Sequence, residues 1–147
     1  MSKSEKATDK FKSNFNCAQS VLSVFADDLG MREDDCLKIA SAFGGGIAKR
    51  QHTCGAVTAA LMAIGLKYGN GYNDDPAKKT ITYELSNRFI EEFKKLNGAM
   101  NCKELLNDLN MNDPEDLKTI HELDLFRVNC DHYVQTAVIL TEQLLEE

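Results

Sequence analysis

The segment CGAVTAALMAIGLKY, Cys54 to Tyr68, most restricts the folds open to this chain. It is apolar on nearly every side, so as a helix it has no face to give to water and belongs at the centre of an assembly. Gly55, Ala56, Ala59, Ala60 and Ala63 within it are small enough to let neighbouring helices approach closely. Its longest apolar stretch, Ala56 to Leu66, falls far short of the roughly 20 residues that a membrane crossing needs. A chain of 147 residues can enclose a single real core around such a helix.

The flanking sequence is helical in pattern as well. Phe11, Phe15, Ala18, Val21, Leu22 and Phe25 recur at three- and four-residue steps, and Gly30 ends that run. REDDCLKIASAF opens on acids, as a helix N-terminus favours, and stops at Gly44, Gly45 and Gly46. After the loop GNGYNDDP, a long helix is expected from about Ala77 to Leu96, with Ile81, Leu85, Phe89 and Phe93 on one face. NCKELLNDL has Asn101 and Glu104 at capping-box spacing, and NDPEDLKTI offers Asp113 as cap with Pro114 at the first helical position. A last helix is expected from Cys130 to Leu145, with Val134, Ala137, Val138 and Leu144 at helical intervals. No strand alternation, internal repeat or low-complexity segment stands out. The expectation is an all-α, single-domain helical bundle of about six to seven helices over residues 1–147.

Charge narrows the partners. A net charge of -6 and a pI near 5.1, with no long run of Lys and Arg, argue against nucleic acid. MSKSEKATDKFKSNFNCAQS has no apolar run after its charges and does not read as a secretory signal, so a cytoplasmic location is expected, without membrane insertion. In a reducing compartment, five cysteines favour metal binding or redox chemistry over a static disulfide framework. The competing reading is that free cysteine is simply a small buried hydrophobe.

Four of the five cysteines follow a residue favoured at helix N-caps: Cys17 after Asn16, Cys54 after Thr53, Cys102 after Asn101 and Cys130 after Asn129. Each is therefore expected to open its own helix, where unpaired N–H groups and the helix dipole favour thiolate. Cys36 differs: Glu33, Asp34 and Asp35 precede it and disfavour a further negative charge, so it reads as structural. Cys54 is the leading candidate for the principal thiolate or ligand. Lys49, Arg50 and His52 stand where they can support it, and Gly44, Gly45 and Gly46 can turn backbone amides toward a sulfur or an anion. The plainer account of that approach is a helix stop at Gly44 followed by a solvated basic loop.

CGAVTA at Cys54 to Ala59, with one cysteine before it and two after, resembles the redox-active protein family named for its C_GCAxxG_C_C cysteine pattern, which carries a CGAxxG motif. FGGG at Phe43 to Gly46 and ALMAIGLKYG at Ala60 to Gly69 strengthen the likeness, which runs from about Asn14 to Leu140. The resemblance carries the four family cysteines onto Cys17, Cys54, Cys102 and Cys130, and leaves Cys36 outside. The chain departs from the motif at Ala59, where the family has glycine. A similar cysteine-bearing domain in some multihaem cytochromes is associated with an iron–sulfur cluster. This chain has no CxxCH, so attached haem is not implied.

Four chemistries fit these residues. Cys17, Cys54, Cys102 and Cys130 could ligate an iron–sulfur cluster. They could instead cycle between dithiol and disulfide with a redox partner protein or a small-molecule thiol, Cys54 attacking. Zinc is a third possibility, invited by HTC and CDH, although Cys130 and His132 would point to different sides of a helix. The fourth is a non-enzymatic helical interaction protein whose cysteines merely pack. A homodimer could build any of these sites across two chains. No catalytic triad, carboxylate pair or phosphate loop is present.

Overall fold

The computed structural model describes residues 1–147 as eight α-helices, one 3-10 turn at Ser41–Phe43 and no strands. In chain order the helices are α1 (Lys3–Lys12), α2 (Cys17–Ser23), α3 (Glu33–Ile39), α4 (Gly55–Tyr68), α5 (Lys78–Asn97), α6 (Cys102–Leu105), α7 (Pro114–Glu122) and α8 (Leu125–Leu145). The fold is an all-α single domain, as expected. α4 is its axis, packed against α2, α5 and α8, with Gly55, Ala56, Ala59, Ala60 and Ala63 all buried. α5 turns Leu85, Phe89 and Phe93 inward, and Phe93 meets Tyr133 of α8 at 6.2 Å between ring centroids. No helix is long and apolar enough to cross a membrane.

Several boundaries differ from those read off the pattern, each for a local reason. The run from Phe11 is broken, because Asn14 takes a left-handed φ of 76° and Asn16 then starts a new helix. Phe15 falls in that break and is exposed. Ile81, at 48% exposure, lies beyond the part of α5 that meets the core. α6 stops after four residues, since Asn107 and Asp108 adopt φ of 59° and 63°. α8 begins at Leu125 rather than Cys130, and Leu125 packs in a small apolar cluster with Ile120 and Leu106.

Caps separate strong helix starts from nominal ones. Asn16 forms a full capping box with Gln19, and its Nδ2 also donates to the Ser41 carbonyl at 2.9 Å. Asp113 accepts from the Asp116 N–H at 3.0 Å, with Pro114 at the first helical position. The box expected at Asn101 does not form, for its Nδ2 donates sideways to Glu104 Oε1 at 3.2 Å. Asn16→Ala should therefore cost about 1–2 kcal/mol in urea unfolding. Asn101→Ala should stay within about 0.5 kcal/mol. Equal losses at the two positions would contradict this assignment of caps.

Candidate functional site

The cysteines collect where two apolar clusters meet. Cys54 belongs to the main core, Cys102 and Cys130 belong to the smaller cluster, and Cys17 packs against both. Three tethers bring them there. Thr53 and Asn101 form an isolated antiparallel bridge, flanked by Cys54 N–H to Met100 O at 2.8 Å and Cys102 N–H to His52 O at 2.7 Å. That bridge sets Cys54 beside Cys102. Gly55 lets α4 touch α2: a Cβ there would lie 2.8 Å from Phe43 O and 3.0 Å from Ala18 N, next to Cys17. On α8, the Tyr133 hydroxyl donates to Leu105 O at 2.8 Å and Asn129 Nδ2 to the same oxygen at 3.3 Å, which seats Cys130 against α6.

The glycine run serves close approach. A Cβ on Gly44 would lie 2.5 Å from Asn16 Nδ2, and one on Gly46 would lie 2.7 Å from Cys102 Cβ. From Gly45 the chain follows a left-handed path, with positive φ at Gly45, Gly46, Ile47, Ala48, Lys49 and Gln51. Such a path costs an L residue roughly 1–2 kcal/mol, and Ile47 is β-branched, the least tolerant type. Strain of this kind persists only where the surroundings impose it.

Cys17, Cys54, Cys102 and Cys130 all line one cavity of about 390 Å³. Its apolar wall is Phe11, Leu105, Leu106, Met111 and Phe126, while Gly44, Gly45, Gly46 and Lys49 close the other side. A more open groove of about 1100 Å³ lies elsewhere, between α5 and α8, but it is lined mainly by polar and charged residues and holds no cysteine. The smaller cavity is therefore the candidate site. Arg50 and His52 are exposed and do not line it; His121 and His132 are exposed against Phe126 and Tyr133. Cys36 is fully buried in the main core, away from the cavity.

Two expectations about the thiols need correction. Only Cys17 and Cys102 open a helix; Cys54 is itself the N-cap residue of α4, and Cys130 sits inside α8. The acidity of Cys17, Cys54 and Cys102 is also suppressed rather than enhanced. Burial pushes Cys54 up to about 12, against the opposing pull of the Ala56 and Val57 N–H groups. Burial likewise pushes Cys102 up to about 12, with charge at Cys54 and Cys130 adding to it. Cys17 is raised well above the ordinary thiol value, first by its hydrogen bond with Cys130, then by burial and by its three sulfur neighbours. Desolvation and mutual repulsion win because the cations meant to offset them are in solvent or, like Lys49, at the rim.

The sign of the resulting pH dependence follows. Below about pH 9 these thiols are protonated in both folded and unfolded chains, and their contribution is fully present. Above that, the unfolded chain loses protons first, so stability falls as pH rises toward about 12. The limiting slope is about 1.4 kcal/mol per pH unit for each thiol. Urea midpoints of the reduced, metal-free protein should drop between pH 8 and pH 10, and drop less in Cys102→Ala. A midpoint independent of pH would refute the burial argument.

No three His, Cys, Asp or Glu side chains stand where they could share one metal ion. The four sulfurs surround a space rather than a point. The family described as "Putative redox-active protein (C_GCAxxG_C_C)" matches residues 15–144. The chain belongs to that family. No curated protein and no solved structure matches it. The match to this C_GCAxxG_C_C family spans all four cysteines that line the cavity.

Among the residues of the site and its supporting wall, Tyr133 and Gln51 escaped the pattern reading. Tyr133 could have been found, since Phe126, Cys130 and Tyr133 follow four- and three-residue steps along one face of α8. Gln51, buried between exposed Arg50 and His52, leaves no mark in local sequence.

Proposed function

We propose that this member of the C_GCAxxG_C_C family is an electron-transfer protein whose Cys17, Cys54, Cys102 and Cys130 hold an iron–sulfur cluster in the shared cavity. The observation that carries this reading is the convergence of four thiols, from four separate segments, on one largely apolar space. The donor set fits: cluster iron takes four cysteine thiolates, and several metal atoms need sulfurs spread around a space rather than gathered at one ion. Buried thiols that resist ionisation by themselves become good ligands once cationic metal replaces their protons. Bound there, the cluster would supply one-electron chemistry. Phe11, Leu105, Leu106, Met111 and Phe126 would keep water from the sulfurs, and the Ala56 and Val57 N–H groups would support the charge on Cys54.

Anaerobic purification, or reconstitution with iron and sulfide, should give visible absorption together with stoichiometric iron and acid-labile sulfide. A sample that stays colourless and iron-free under both conditions overturns the reading.

The placement of Cys17 and Cys130 in one cavity, with Cys130 the neighbour that raises the Cys17 pKa most, favours a second reading. These two thiols would form a disulfide, releasing two protons and passing two electrons to a partner disulfide, which becomes two thiols. Mass spectrometry after mild oxidation should then recover a Cys17–Cys130 peptide pair, and its absence excludes this alternative.

A further inference from the structure

The left-handed segment from Gly45 to Gln51 lines the cysteine cavity, and backbone bonds from Arg50 N–H to Ile47 O and from Gln51 N–H to Gly45 O, both 2.9 Å, close turns within it. A buried side-chain tether to a remote part of the chain lies at its last residue. Gln51 is 6% exposed; its Nε2 donates to Leu109 O at 2.8 Å and its Oε1 accepts from Met111 N–H at 2.8 Å. One side chain thus satisfies two backbone groups of the segment that also supplies Met111 to the cavity. The backbone of Gln51 is engaged as well, with its N–H donating to Gly45 O at 2.9 Å and its carbonyl accepting from Lys103 N–H at 3.2 Å.

Contact then runs directly to sulfur. The position of a Gly46 Cβ is 2.7 Å from both Gln51 Cα and Cys102 Cβ, so these three residues are jammed together. The next residue, His52, accepts from the Cys102 N–H at 2.7 Å. Asn112 Nδ2 holds the outer face of the same wall through Lys49 O at 2.7 Å, but Asn112 is exposed and that bond competes with water. A buried amide bonded at both ends is the stronger constraint, because removing it leaves the buried Met111 N–H and the part-buried Leu109 carbonyl without that partner.

We propose that Gln51 is a positioning residue of the site, holding the strained wall against Cys102 and so keeping that sulfur facing the cavity and closed to solvent. The inference rests on the assignment of the four-cysteine cavity as the working site. Without the two amide bonds the left-handed run relaxes, Gly46 withdraws, and Cys102 opens while the distant core stays closed.

The test compares two buried thiols in one molecule. Reduced, metal-free protein is treated with iodoacetamide at fixed pH, and modification of Cys102 and Cys36 is followed separately by mass spectrometry. In Gln51→Met, which keeps the bulk and loses both bonds, the rate at Cys102 should rise at least about tenfold relative to Cys36, as local opening would give. An unchanged Cys102 overturns the proposal. A parallel rise at both cysteines also overturns it, since Gln51 would then support only the fold as a whole. If Gln51→Met does not fold, Gln51→Asn, one methylene short of reaching both partners, is read by the same ratio. The measurement needs no bound metal, so failure to find a cluster leaves it decisive.

Discussion

Cys54→Ser, Cys17→Ser, Cys102→Ser and Cys130→Ser are each expected to strip the visible absorption and most of the iron from anaerobically purified protein, whereas Cys36→Ala retains both. The expectation rests on geometry: the first four sulfurs line one cavity and Cys36 does not. Losing a residue that merely supports a ligand costs about 10–100-fold in metal affinity, and losing a ligand should cost more. Serine nearly preserves volume, so the effect reads ligation rather than packing. Full iron retention in any one of the four variants would remove that cysteine from the ligand set. If Cys36→Ala were the variant that lost iron, the site would be in the wrong place.

Gly46→Ala should be the most damaging single-methyl change near the site, at about 2–5 kcal/mol. Of this, about 1–2 kcal/mol is the cost of a left-handed L residue at φ 67°. About 1–3 kcal/mol more comes from overpacking, since the added carbon would lie 2.7 Å from Cys102 Cβ, Gln51 Cα and His52 N. Two of those three atoms are backbone, and the third is the Cβ of a buried ligand candidate, so none can swing aside cheaply. Gly98→Ala separates the terms: its φ is 87°, yet nothing lies within 4 Å of the added carbon. Urea unfolding should show Gly98→Ala losing only the first contribution. Equal losses in the two variants would mean that the Gly46 contact with Cys102 carries no weight.

The parts of this molecule legible in its sequence are those set by local chemistry and by one-dimensional pattern. The apolar, small-residue run after Cys54 became the buried α4, as periodicity required. Asp113 with Pro114, and Asn16 with Gln19, became caps because each motif satisfies its own backbone. Asn101 and Asn129 matched the same signal and failed: the Asn101 side chain donates to Glu104 instead, and Asn129 lies inside α8, which begins at Leu125, where it donates to the Leu105 carbonyl. An N-cap preference is worth about 1 kcal/mol, little enough for a single competing bond to cancel.

The sequence by itself determined the all-α class, the central helix and the set of four pattern cysteines, since these depend on residue type and spacing along the chain. Tertiary structure alone decided that the four sulfurs share one cavity, that burial raises the pKa of Cys54 and Cys102, and that a left-handed wall tethered by Gln51 presses on Cys102. Desolvation and steric contact depend on atoms from remote segments arriving at one place, and no local window of residues records that meeting.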